Sequence, residues 1–254
     1  MFRLVDNPNM PVPRIYHPET LRTGETVLVT GSAANHLSRV LRLKPGDVVI
    51  LFHDDGHDYT ARIDRPAAGG LNISVGESRP ANTESALRVI LMQGICRGQK
   101  MDLVVQKATE LGVSAILPLS CERSVVRIAG ERAARRREHW FGVATGAAEQ
   151  CGRALVPQIY PPLSFPAAVA ELPADSTRLL LDPDSPTSLG VTRPDANAIV
   201  LMAGPEGGLT QAERQAAHDA AFTGVRLGPR ILRTETAPLA ALSVVQFLYG
   251  DLGD

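Results

Sequence analysis

Lysine is scarce in this sequence: among 26 basic residues only Lys44, Lys100 and Lys107 are lysine, and the rest are arginine. A GC-rich genome favours Arg and Ala codons, which accounts for such a ratio without any function. A guanidinium also offers a planar fork of donors that suits phosphates and bases. The net charge of −1 is silent on any local basic face, so placement has to decide. Cysteine is sparse too. Cys96, Cys121 and Cys151 are odd in number and show no CxxC spacing, which argues against a disulfide framework or a zinc site and fits free thiols in a reducing compartment. His17, His53 and His57 have no ligand-like spacing, and no metal is expected. No apolar run is long enough to span a bilayer, and the opening "MFRLVDNPNMP" has no apolar signal core, so the expectation is a cytoplasmic protein without a membrane anchor.

What the sequence does hold is 254 residues, 44% of them apolar, enough for one large or two ordinary domains with a sizeable core. Up to about residue 78, short β-like segments ("ETVLVTG", "DVVILFHDDG", "DYTARI") are punctuated by Gly31, Pro45-Gly46, Asp55-Gly56 and Gly69-Gly70. One helix interrupts them in "SAANHLSRVLRLKPGD", with Ser32 as N-cap and Leu37, Val40 and Leu41 on one face. Its other face carries His36, Arg39 and Arg42, which reads either as a solvated surface or as a phosphate-contacting ridge on a small β-barrel. The polar stretch "GESRPANTESA" marks a boundary between a domain at 1–78 and one at 79–254. Beyond it, apolar strands alternate with amphipathic helices, which predicts a parallel α/β sheet with its ligand crevice beyond the strands' C-terminal ends.

Two turns stand at such ends: "LMAGPEGGLT" (201–210) and "LGPRILRTETAPLAAL" (227–242). Glycine lets backbone N–H groups approach a ligand closely. Yet "GPEGGLT" has neither the GK[ST] ending of a phosphate loop nor GxGxxG spacing, and Glu206 would repel phosphate. A nucleoside without phosphate fits better, because backbone groups can bond an adenine edge and a carboxylate favours a cationic sulfonium nearby. In the second turn Gly228-Pro229 closes a short strand, and Thr236 is an expected N-cap for a helix with Pro238 in its first turn.

These segments, with "HLSRVLRLKPGD", "QKATELGVSAILPLSCERSVV" and "AAEQCGR", occur in the order found in the RsmE family, which the chain resembles over nearly its whole length. That family comprises S-adenosylmethionine (SAM)-dependent methyltransferases of the SPOUT superfamily that modify N3 of a uridine in small-subunit 16S rRNA. The sequence departs from the pattern modestly, with "PA" after "TETA" and its own "HDDGHDY" turn. The resemblance implies a PUA-like N-terminal β-domain, an α/β domain with a C-terminal trefoil knot, and a homodimer formed through that domain. It implies SAM as cofactor, S-adenosyl-L-homocysteine as product, and 16S rRNA, within the small ribosomal subunit, as partner.

Carried over residue by residue, the cofactor site comprises Leu181, Gly204, Pro205, Glu206, Gly207, Leu227, Gly228, Leu232, Arg233, Thr236 and Ala237. On the acceptor side, a uracil N3 must lose its proton before it attacks, and a guanidinium facing the base oxygens favours the anion. Arg153 is the candidate, with Glu149 and Gln150 to orient it or read the base; the same residues also read as a helix end with Gly152 as cap. Glu206 or Glu235 is the alternative base. His36, Arg39, Arg42, Arg123 and Arg127 are the RNA-contact candidates, Lys107 a weaker one. Lys107 and Glu110 also read as an i, i+3 pair, and Trp140 as a packing residue. Two other readings stand beside the enzyme: an RNA-binding protein without transfer activity, and a nucleotide-dependent α/β enzyme using "GPEGG" as a phosphate cradle.

Overall fold

The computed structural model describes residues 12–124, 130–191 and 196–253. The chain divides into two compact units, one formed by residues 1–84 and 148–156, the other by 85–147 and 157–254.

In the first unit, β1 (Arg14–Tyr16), β2 (Thr26–Thr30), β3 (Val48–His53), β4 (His57–Ala67) and β5 (Gly70–Pro80) form a sheet in the order β1-β3-β4-β5-β2. Alternation in β5 turns Leu71, Ile73 and Val75 inward, where they meet Ile15, Leu37, Leu51 and Ile63. Its glycines serve the turns: Gly56 (φ +79°) closes the β3–β4 hairpin and Gly69 (φ +84°) the β4–β5 hairpin. β5 runs through Pro80, past the point where the sequence places a boundary, and residues 148–156 pack with this unit rather than with the segments around them.

The expected helix after β2 is present but differs in form. α1 (Gly31–Asn35) passes at His36 into a π-helical turn through Val40, with the Leu41 N–H bonded to the His36 carbonyl. Thr30, not Ser32, holds the N-cap position, without a side-chain cap bond. The wider turn rotates the apolar stripe: Leu37 is buried, while Val40, expected on the same face, is 66% exposed.

In the second unit β6 (Arg88–Gly94), β7 (Ala115–Leu119), β8 (Gln158–Ile159), β9 (Thr177–Leu181), β10 (Ala198–Ala203) and β11 (Thr223–Val225) form an all-parallel sheet in the order β11-β9-β10-β6-β7-β8. Every residue of β7 and β10 is buried, as expected of strands covered on both faces. The crossovers carry α2 (Gln99–Glu110), α3 (Glu131–Cys151), α4 (Phe165–Ala170) and α5 (Gln211–Asp219). The last helix, α6 (Thr236–Tyr249), follows the edge strand β11 yet packs against α2 and the central strands β6 and β10. It starts one residue earlier than expected, at Thr236 itself. Glu235 precedes it, Thr236 is its first helical residue, and the Thr236 and Ala237 N–H groups bond to the Arg233 carbonyl. The strand order reverses beside β6, which places a ligand crevice at the C-terminal ends of β6, β10 and β9.

Candidate functional site

At those strand ends the two Gly/Pro turns meet. Residues 203–206, 208 and 209 at the end of β10, 227, 228 and 230–234 after β11, and 180–183 around the end of β9 line one cavity of about 480 Å³, joined by Lys100 of α2, Arg214 of α5 and Ala237 of α6. The two turns are tied together, since the Thr234 hydroxyl donates to the Gly204 carbonyl at 2.7 Å. The floor depends on Gly94, the last residue of β6: a Cβ there would lie 2.5 Å from the Pro205 nitrogen and 2.8 Å from the Gly204 carbonyl carbon. No side chain fits between β6 and the Gly204-Pro205 corner. Beside it, the Cys96 thiol donates to the Gly94 carbonyl at 3.3 Å, and burial raises its pKa above the ordinary thiol value.

Of the residues carried over for the cofactor, Leu181, Gly204, Pro205, Glu206, Leu227, Gly228, Leu232, Arg233 and Ala237 line this cavity. Gly207 and Thr236 do not. Gly207 instead faces the loop after β7, where its missing Cβ would sit 2.9 Å from that of Arg123, and Arg123 Nη1 donates to the Gly207 carbonyl at 3.3 Å. Lys100, Asp182, Arg230, Ile231 and Thr234 line the cavity without having been singled out for it. The signal for Asp182 was on the page, an "LDPD" turn directly after a buried strand. Lys100 comes from a helix, and only the fold brings it to the strand ends.

Carboxylates and one ammonium share the mouth. Lys100 Nζ lies 3.2 Å from Glu235 Oε2 and 3.7 Å from Glu206 Oε1, and Glu206 Oε1 also accepts from the Arg97 N–H at 2.9 Å. Glu235 is held below the usual carboxylate range, first by a bond from its own backbone N–H and then by Lys100. A phosphate cradle would need open amides at the N-terminus of α5. That end is closed by a capping box: Thr210 Oγ1 accepts from the Glu213 N–H, and the Glu213 carboxylate accepts from the Thr210 N–H. The site is therefore built for a ligand held by backbone groups and apolar walls, with negative charge at hand.

The acceptor-side candidates belong to the first unit. Arg153 is buried, and its Nε and Nη2 donate to Glu84 Oε2 at 2.9 and 2.8 Å. The other Glu84 oxygen accepts from the Ala154 and Leu155 N–H groups. Gly152 (φ +90°) follows the end of α3, and its N–H bonds back to the Ala148 carbonyl. Glu149 Oε1 accepts from the Tyr16 N–H, and desolvation raises its pKa; Gln150 is exposed. His36, Arg39 and Arg42 are all exposed around the π turn, Arg42 at φ +55°. Arg127 lies outside the described residues. Lys107 is paired with Glu110 at 2.8 Å, and Trp140 is 2% exposed, packed in α3.

Known proteins match the chain along most of its length. A family model described as an RNA methyltransferase domain matches residues 83–246, and one described as an RNA methyltransferase PUA domain matches residues 29–73. Ribosomal RNA small subunit methyltransferase E of Bacillus subtilis is 31% identical over 90% of this chain and 93% of its own. Among solved structures, a ribosomal RNA small subunit methyltransferase E from Neisseria gonorrhoeae bound to SAM is 40% identical, with a TM-score of 0.87 over 95% of this chain and all of that one. A putative methyltransferase from Legionella pneumophila, in complex with bound SAM, is 34% identical with a TM-score of 0.90 over 96% of this chain and all of that one. The chain thus belongs to the RNA methyltransferase family that includes ribosomal RNA small subunit methyltransferase E.

Proposed function

We propose that the protein uses SAM to methylate N3 of a uridine in 16S rRNA of the small ribosomal subunit. The observation that carries this reading is the meeting of two strand-end turns around a cavity whose neighbouring helix N-terminus is closed to phosphate. Backbone groups at 204–208 and 227–233 suit an adenosine, and Glu206 and Glu235 suit a sulfonium cation. Relatives of 40% and 34% identity hold SAM. The threading of α6 into a trefoil knot is part of the proposal, supported by the return of α6 from the edge strand to the central strands.

Transfer from SAM to a uracil requires that N3 lose its proton and that the methyl lie in line with it. With the N3 proton taken by a base, for which Glu206 is a carboxylate at the cavity, the N3 electron pair would form the new N–C bond as the S–C bond breaks, and S-adenosyl-L-homocysteine would leave as a neutral thioether. Lys100, Arg230 and Arg233 are cations at the cavity able to favour an anionic base. Arg153 is structural in this reading, holding the strap at 148–156 through Glu84. His36, Arg39, Arg42 and Arg123 contribute RNA contacts.

A homodimer through the second unit also belongs to the proposal. Leu242 and Val245 of α6 are core, while Phe247 and Leu248 are 63% and 43% exposed, an apolar patch at the end of that helix.

Calorimetry tests the cofactor assignment: SAM and S-adenosyl-L-homocysteine should bind and ATP and NAD should not, and absence of SAM binding overturns it. Mapping base methylation in 16S rRNA from a strain lacking the gene, with and without its restoration, tests the acceptor. A mark that does not depend on the gene refutes the assignment.

A further inference from the structure

Ile231 is 87% exposed, more than any other large hydrophobic side chain among the described residues, and it lines the mouth of the cavity. A residue walling in a cofactor would be shielded by its neighbours, as Leu227 and Leu232 are in part. Ile231 stands instead between Arg230 and Arg233, both exposed, and neither guanidinium has a hydrogen bond or an ion pair among the described residues. The segment is held at both ends. Gly228 (φ +69°) and Pro229 set the entering turn, and the Thr236 and Ala237 N–H groups bond to the Arg233 carbonyl at 2.9 and 3.0 Å. An isoleucine on a fixed turn, flanked by two exposed arginines, presents an apolar face beside positive charge.

We propose that Arg230 and Ile231 form the seat for the RNA strand at the acceptor, with Ile231 packed on the face of the uracil and Arg230 on a backbone phosphate. This rests on the methyltransferase reading of the same cavity. The chemistry favours single-stranded RNA as occupant: a base has an apolar face, and the strand is a polyanion that rewards arginine. Lys100, 3.7 Å from Glu206 and 3.2 Å from Glu235, offsets part of the negative charge at the mouth. The seat also explains why the "GPRILR" turn carries an apolar residue at a position that is 87% exposed among the described residues.

The test uses the full chain with SAM present, and small subunits from a strain lacking the gene as substrate. Ile231→Ser should raise the KM for the RNA substrate about ten-fold or more, the loss expected for one buried aliphatic side chain. Its affinity for SAM, measured by calorimetry, should be unchanged, and Ile231→Leu should restore the KM. Arg230→Ala should lower the slope of log affinity against log salt by about one, as for one lost phosphate contact. An unchanged KM with Ile231→Ser, or an unchanged salt slope with Arg230→Ala, overturns the seat. A fall in SAM affinity equal to the loss in turnover makes Ile231 a cofactor wall and overturns it too. So does conversion of a dimer to monomer by Ile231→Ser in sedimentation, which would make a second copy of the chain the occupant. If the methyltransferase reading itself is wrong, the wild-type chain binds no SAM and methylates no RNA, a result none of these outcomes shares.

Discussion

Gly94→Ala probes the construction of the cavity without changing any residue that lines it. The new methyl would stand 2.5 Å from the Pro205 nitrogen, 2.6 Å from Pro205 Cδ and 2.8 Å from the Gly204 carbonyl carbon. All but one of these atoms are backbone, and the exception is part of a rigid ring, so no flexible chain end can swing aside. Relief requires a retreat of about 0.9 Å, the difference between 2.5 Å and the roughly 3.4 Å at which ordinary contact begins. Overpacking of this kind costs about 1–3 kcal/mol. The Gly204-Pro205 corner is also the wall of the cavity, and Gly204 holds Thr234 of the second turn through its carbonyl. If the corner yields, the cost falls on ligand binding, and SAM affinity drops by about 5- to 150-fold. If the corner holds, the cost falls on folding, and the melting midpoint drops by roughly 2–12 °C. Calorimetry with SAM and a thermal melt of the unliganded protein read the two together. Gly146→Ala on α3 is the control: outside its own stretch of helix, no atom of the described residues lies within 4 Å of its Cβ position, so it should stabilise the helix by about 0.5–1 kcal/mol. A Gly94→Ala protein with wild-type midpoint and wild-type SAM affinity would refute the claim that this close approach shapes the site.

Arg153→Ala strands Glu84 without its buried partner and should cost about 3 kcal/mol, seen as a lower midpoint in thermal or urea unfolding. Turnover measured well below that midpoint should be retained per folded molecule with SAM affinity intact; a lost kcat would instead return the guanidinium to the uracil. Burial pushes the Cys121 thiol up to about 12 and raises that of Cys96, so both stay protonated at neutral pH and the native protein should label at the half-exposed Cys151 alone, with all three reacting in denaturant. Rapid native labelling of Cys96 or Cys121 would contradict the packing described for them. Phe247→Ser should weaken self-association by about 2 kcal/mol, roughly thirty-fold, in sedimentation at micromolar concentration. An unaltered dimer would move the interface away from α6.

Much of this architecture was legible in the residues. The change from period-two segments to alternating strands and helices gave the two-part organisation, and two Gly/Pro turns behind buried strands marked where a cavity forms. Proximity across the sheet was not legible. Nothing in the spacing says that Gly94 is pressed against Gly204 and Pro205, because that contact follows from β6 and β10 being neighbours. Lys100 reached the site for the same reason. Val40 was misplaced because a π turn is one residue wider than the helical period assumed for it. In Arg153 the sequence showed a charge at a helix end, and only the fold showed Glu84 waiting for it. Gly207 was grouped with its neighbours on motif alone, whereas the chain direction turns it toward Arg123.

The return of residues 148–156 to the first unit has a consequence for how the protein can be taken apart. That stretch supplies Ala148 and Ala154 to the cluster around Phe52, and the Arg153 carbonyl accepts from Arg14, which lies 5.0 Å over the Phe52 ring and pairs with Asp58. An excised fragment ending at residue 84 would keep the sheet and lose this clasp, leaving Phe52 less covered and Glu84 without Arg153. The β-domain is continuous in space and discontinuous in the gene, so no single scission of the polypeptide yields it whole.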